Sequence, residues 1–208
     1  MLDARFSFHS LRGPDWPAAV YWPAALITIG VAGYGVLSGF HLIPLTPPAL
    51  GQAEIKPIAM ALHMLAGGVA LAVAAIQLLL IKVQRAARRH RVLGWIYGIS
   101  VLTSGVAAFA LFGSSIGGLN ADLGFSLLSA VWLFATGQAI FHARIQDWTV
   151  HQRWMIRSFS LCFAAVTLRI YLGVFFALGV PFEQFYTTLA WLCWVPNLVV
   201  VEWFLLKR

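Results

Sequence analysis

The sequence predicts an all-α fold, a polytopic membrane helix bundle of about six transmembrane helices with both termini cytoplasmic. Three observations predict it. Hydrophobic residues make up 61% of the 208 residues and charged residues only 10%, against about 45–50% apolar and about 25% charged in a typical soluble domain. Mean hydropathy is +0.83. Long apolar runs recur with short breaks between them, each near the ~20 residues that cross ~30 Å of hydrocarbon. Lysine and arginine gather in alternate breaks, as they do in loops retained in the cytoplasm.

The N-terminal stretch 1–17, M-L-D-A-R-F-S-F-H-S-L-R-G-P-D-W-P, is expected to be a short cytoplasmic lead. The apolar run after it starts late, is too long for the core of a secretory signal and has no small-residue cleavage site. Spans are then expected at 18–40, 57–81, 92–113, 123–141, 154–179 and 187–206. With connections this short, sequential spans should be antiparallel neighbours in one domain, 1–208. Residues 41–56 form the longest non-spanning stretch, and their prolines argue against a regular helix through it.

Arg5, Arg12, Lys82, Arg85, Arg88, Arg89, Arg91, Arg144, Arg153, Arg157, Lys207 and Arg208 fall at one set of span ends, and only Lys56 at the other. That asymmetry makes the first set cytoplasmic. Glu54, Asp122 and Glu183 fall on the opposite side, so the formal net charge of +7 is concentrated on one face. In a soluble chain such a balance would point to nucleic acid. Here no soluble domain is left to bind one, and the expected partner is the bilayer, with some attraction for anionic headgroups. Cys162 and Cys193 fall inside spans and are expected to be small apolar fillers. Trp16, Trp22, Trp95, Trp148 and Trp154 lie at or near the expected interfaces, where aromatic belts need no cofactor.

Polar residues inside the spans carry the functional question, because they are costly in hydrocarbon and face the bundle interior. In the first span, Gly35 and Gly39 form a G-x-x-x-G helix-contact signal. In the second, His63, Gly67, Ala70, Ala74 and Gln77 recur at helical spacing and make one stripe of small residues, with a histidine at one end and an amide at the other. Small side chains there allow either close helix contact or a flat ligand against the helix. The third span opens on His90-Arg91 and the fifth on His151-Gln152-Arg153, one device used twice. The fourth ends near Gln138 and His142.

Arg169 follows His151 by five turns at ~3.6 residues per turn, so in a continuous helix the two share a face through Met155, Ser158, Cys162 and Ala165. Arg169 cannot lose its proton and must find an anion, carbonyls or water. A haem propionate would serve, as would carbonyls near Pro196 and Asn197. By helix rise its depth from the outer side is nearer that of His63 than that of the cytoplasmic histidines, while Glu202 in the sixth span is too shallow to be an easy partner.

The cytoplasmic end thus collects His90, His142 and His151 with Gln77, Gln138, Arg157 and Glu202. Two imidazoles from facing helices can hold a b-type haem without covalent attachment. The same histidines could equally be interfacial groups bonded to headgroups and helix ends, and both readings stand. C-x-x-C, H-E-x-x-H, G-x-S-x-G and phosphate-cradling glycine loops are all lacking, so zinc, nucleophilic hydrolysis and nucleotide binding have no support.

The segments A-L-H-M-L-A-G-G, H-R-V-L-G-W-I-Y-G, H-Q-R-W-M-I-R-S and A-W-L-C-W-V-P-N-L-V-V-V-E resemble bacterial membrane proteins grouped as DUF2306. The resemblance runs from Pro57 to Glu202. It implies a membrane domain of six or so helices and singles out His63, His90, His151, Arg157, Arg169, Trp191, Asn197 and Glu202. A looser likeness, in helix number and in histidines near helix ends, is to cytochrome b561-type haem proteins. Those use four histidines in two stacked pairs, whereas His63 has no histidine at its depth unless His41 folds inward, so one haem is conceivable and two are doubtful.

These observations lead to an expectation of a bacterial inner-membrane component with a b-type haem or a link to quinone. His90 and His151 are the expected axial ligands of the haem iron, with His142 in reserve. His63 and Arg169 form an outer-leaflet site for a propionate, a quinone headgroup or a proton path. The competing expectation is a haem-free transporter or assembly partner, with Arg169 holding an anionic substrate and His63 relaying protons.

Overall fold

A computed structural model of the chain describes residues 18–80 and 87–206, all helical or irregular, with no strand among them. The elements are α1 (Ala18–Gly39), α2 (Pro47–Ile55), α3 (Pro57–Leu80), α4 (Ala87–Ala110), α5 (Gly118–Arg144), α6 (Trp148–Cys162), α7 (Ala164–Ala177), α8 (Phe182–Leu192) and α9 (Val195–Val200), followed by a π-helical turn, Val201–Leu205. Five runs are long and apolar enough to cross a bilayer: Pro57–Leu78, Arg88–Ala110, Gly118–Arg144, Trp148–Ala177 and Phe182–Phe204; the apolar stretch Ala24–Gly39 of α1 is shorter. The expected lead 1–17, and with it Arg5, Arg12 and Trp16, lies outside the described residues, as do Lys82, Arg85, Lys207 and Arg208.

The surface explains the composition. Ile58 is 76% exposed, Leu178 69%, Leu26 67% and Trp203 62%, an apolar exterior that suits acyl chains and not water. Inside, Ala70, Leu71, Tyr97, Val101, Leu161, Val166 and Cys193 form the main core. Lipid supplies no hydrophobic drive between helices, so close packing must hold them together.

That packing is tightest where α3 lies against α1. A Cβ at Gly68 would stand 2.7 Å from the Ala32 carbonyl oxygen, one at Gly39 2.7 Å from Leu65, and one at Gly35 3.0 Å from the Met64 carbonyl oxygen. The G-x-x-x-G of α1 is therefore a true helix contact. On its other side α3 meets α4 through the small-residue stripe. Ala70 and Ala74 are buried, and a Cβ at Gly67 would come 3.1 Å from Ser104 Oγ. Of the two expectations for this stripe, close helix contact is the one realised.

Two expectations need correction. The stretch 41–56 does contain a regular helix, because its prolines start it: α2 has proline in its first positions, where a missing N–H costs nothing. The spans 154–179 and 187–206 are also not single helices. The second breaks at Cys193–Trp194, ahead of Pro196. The first breaks at Phe163, where Thr167 Oγ1 donates to the Phe163 carbonyl at 3.3 Å and Asn197 Nδ2 to the Ser160 carbonyl at 3.4 Å; such back-bonding bends helices.

Between α5 and α6 the chain turns at Gln146, whose φ is 60°, and Asp147 then caps α6 by accepting the Val150 N–H at 3.2 Å. This turn sets the end at which the histidines collect. It is called the basic end below, since Arg88, Arg89, Arg91, Arg144, Arg153 and Arg157 belong to it. At the opposite end Lys56 Nζ donates to the Phe112 carbonyl at 2.5 Å.

Gly68→Ala should lower the melting temperature in detergent, at an overpacking cost of about 1–3 kcal/mol. Gly137→Ala, where an added Cβ meets nothing within 4 Å, should leave it unchanged or slightly raised.

Candidate functional site

At the basic end, His151 in the first turn of α6 is half-buried. Its Nδ1 lies 2.8 Å from the Ala139 carbonyl on α5. A carbonyl only accepts, so Nδ1 carries the hydrogen, and the neutral ring keeps its Nε2 lone pair for a ligand. Histidines that bind metals are oriented in this way. Trp148 presents its ring edge-on to the imidazole, with centroids 6.1 Å apart.

His90, in the first turn of α4, is exposed and lies within electrostatic range of His151. The contact between the two expected ligands is electrostatic only. His142 Nδ1 lies 3.6 Å from Asp147 Oδ2 and is buried without a hydrogen-bond partner. Gln77 is 4% exposed, and its Nε2 is buried without a hydrogen-bond partner. That nitrogen is 3.9 Å from the place of a Cβ at Gly94, one helical turn from His90. A buried donor with no partner is costly, and it is what a bound acceptor at this end would satisfy.

Toward the opposite end, His63 is clamped to α4. Its Nδ1 is 3.1 Å from both the carbonyl and the hydroxyl oxygen of Ser104, and Ser104 Oγ donates to the His63 carbonyl at 3.1 Å. Arg169 on α7 acts electrostatically on His63, as their matched depths imply. The Arg169 guanidinium stacks over the Tyr34 ring of α1 at 5.1 Å and donates from Nη1 to the Ala165 carbonyl at 2.8 Å. The receiving carbonyl is therefore in its own helix, not near Pro196 or Asn197. His41, exposed at the end of α1, does not fold inward to His63.

The run from His151 to Arg169 is interrupted only at Phe163, whose backbone stays in the right-handed helical region. His151 is bonded to α5 and Arg169 is stacked on α1, so they belong to two sites. The remaining candidates are structural partners. Arg157 and Glu202 make a bidentate pair at 2.5 and 2.9 Å, with the guanidinium also 4.6 Å over the Trp154 ring. Glu202 sits in the π-helical turn. Asn197 Nδ2 lies 3.0 Å from Thr167 Oγ1 and donates to the Cys193 carbonyl at 3.0 Å, bridging the two helix breaks. Trp191 is far from the histidines in chain terms and donates to Asn120 Oδ1 at 3.2 Å. Among the described residues no three His, Cys, Asp or Glu side chains are grouped to hold a metal ion, but an axial pair needs only two.

Sequence reasoning missed the polar knot at the centre. Ser158 Oγ is 2.7 Å from both Tyr97 Oη and Thr136 Oγ1, and Trp132 Nε1 donates to Tyr97 Oη at 3.2 Å. A signal was present, since Tyr97 and Ser158 stand at or beside the ends of the segments H-R-V-L-G-W-I-Y-G and H-Q-R-W-M-I-R-S. Ser104 and Tyr34, the partners of His63 and Arg169, carried no comparable signal.

Ser158→Ala should cost about 1–3 kcal/mol, because it strips a partner from buried hydroxyls on two other helices. Ser160→Ala, which removes only a bond to the Arg157 carbonyl of its own helix, should cost much less, as read from melting temperatures in one detergent.

Compared with known proteins, the chain matches the family model described as "Predicted membrane protein (DUF2306)" over residues 60–205. No curated protein and no solved structure matches it. The match covers well over half of the chain and takes in α3 to the π-helical turn, so the chain is an integral membrane protein and belongs to the DUF2306 family.

Proposed function

We propose that this protein is a membrane electron-transfer component that holds one b-type haem between His90 and His151. The observation that carries this function is the fixed imidazole of His151, tied by Nδ1 to the Ala139 carbonyl, with His90 in electrostatic range. A haem held by two imidazoles would supply one-electron transfer between ferrous and ferric iron. The chain's own residues would do the rest. His90 and His151 offer lone pairs from two helices, and the orphan Gln77 amide offers a hydrogen bond. The apolar core built on Tyr97, Val101 and Leu161 keeps water from the inner side. Arg88, Arg89, Arg91 and Arg153 are exposed at this end and present positive charge to propionates or to an acidic redox partner.

A lipid-soluble quinone is the fitting electron partner for a site inside a bilayer. We assign the protein to a bacterial inner membrane with both termini cytoplasmic, on the strength of the arginines gathered at the basic end.

The test is an absorbance spectrum of the protein purified in mild detergent after expression with added haem, air-oxidised and then dithionite-reduced. Wild type and His142→Ala should show a Soret band that sharpens on reduction, with separate α and β bands. His90→Ala and His151→Ala should lose most of that absorbance while eluting as folded protein. A flat visible spectrum from folded wild type, or full haem retention by His151→Ala, contradicts the proposal.

A further inference from the structure

His142 in the last turn of α5 and Asp147, the residue that caps α6, are brought face to face by the turn at Gln146, whose φ is 60°. His142 Nδ1 lies 3.6 Å from Asp147 Oδ2. That is too long for a hydrogen bond, and longer still than the ~2.7–2.9 Å of one between a charged nitrogen and a carboxylate. Yet Nδ1 is buried and has no other partner, a costly state for an imidazole nitrogen. The carboxylate is also only half used. Its Oδ1 accepts the Val150 N–H, and no donor among the described residues reaches Oδ2. No lysine or arginine among them pairs with it either: the Arg144 guanidinium lies 5.9 Å over the Trp95 ring of α4, and Arg157 is taken by Glu202.

The two atoms are spaced as ligands of one ion. A tetrahedral zinc at ~2.0–2.1 Å from a nitrogen and ~2.0–2.2 Å from a carboxylate oxygen sets those atoms roughly 3.3–3.5 Å apart. With its hydrogen on Nε2, His142 offers an Nδ1 lone pair on the side of Oδ2. Phe141 steadies the imidazole edge-on, with ring centroids 5.3 Å apart. The two side chains are 20% and 41% exposed, so an ion can reach them from water at the basic end.

We propose that His142 Nδ1 and Asp147 Oδ2 form an open binding site for a divalent transition-metal ion, with zinc the best fit. One imidazole nitrogen and one carboxylate oxygen suit zinc, copper or nickel better than magnesium or calcium, which take oxygen ligands. Two side chains leave the remaining positions to water, so the ion is exchangeable and not structural. No zinc motif announces the site in the sequence, because a turn and not a helix repeat brings the ligands together. Bound there, the ion ties the last turn of α5 to the cap of α6. The site shares no residue with the one at His90 and His151, and neither depends on the other.

The full chain, purified in detergent without a histidine tag and stripped with a chelator, would be titrated calorimetrically with zinc chloride and with magnesium chloride. Wild type should bind zinc and not magnesium. Asp147→Asn keeps an oxygen for the Val150 cap but loses the charge, and should weaken zinc binding at least about tenfold; His142→Gln should do the same. His90→Ala and His151→Ala should bind zinc as wild type does, whatever their effect on haem. Asp147→Asn decides the matter if His142→Gln does not fold. The proposal is overturned if folded wild type takes up no zinc, if either ligand variant binds it as tightly as wild type, or if His151→Ala abolishes the binding.

Discussion

The arrangement turns on a single hydroxyl. Ser158 Oγ meets Tyr97 of α4 and Thr136 of α5 from its own helix α6, in a chain whose surroundings offer no hydrogen bonds to any group left over. Once these three helices are joined there, their basic ends are held in register, with His90 and His151 in electrostatic range. Close packing of α1 on α3 and of α3 on α4 adds the other half of the bundle. Gln77 reaches the His90 end from α3, and Arg169 reaches Tyr34 on α1.

The polar groups fall into two kinds. Most are spent within the fold: Arg157 on Glu202, Asn197 on the freed carbonyls of two broken helices, and Ser104 on His63. The breaks at Phe163 and Cys193 are tolerable because Asn197 and Thr167 take up carbonyls that the interrupted ladders release. A few groups are not spent. Among the described residues, Gln77 Nε2 and His142 Nδ1 are buried without a hydrogen-bond partner, and the one hydrogen bond described for the Arg169 guanidinium goes to the Ala165 carbonyl.

Much of this was legible in the sequence. Composition and run length fixed the class of fold, since 61% hydrophobic residues admit few other solvents. The glycine contacts of α1 and the placing of Arg169 nearer to His63 than to the histidines of the basic end followed from periodicity and helix rise. Two kinds of information were not legible. Hydrogen bonds to backbone carbonyls, such as His151 to Ala139 and Arg169 to Ala165, leave no trace in residue type, because every residue has a carbonyl. Helix breaks without proline, such as that at Phe163, arise from side-chain bonding across helices and not from local propensity.

The juxtaposition of His90 and His151 underlies the account, and it can be measured without any cofactor. Cysteines would be placed at both positions in protein left in its membrane and treated with a short bis-maleimide, with Ala139→Cys and His151→Cys as a reference pair, His151 being bonded to the Ala139 carbonyl. Intramolecular bridging of 90 to 151 at a rate close to that of the reference pair is the expected result. Bridging of the reference pair alone would mean that α4 and α6 do not present their histidines to one another, and the proposed electron-transfer site would fall.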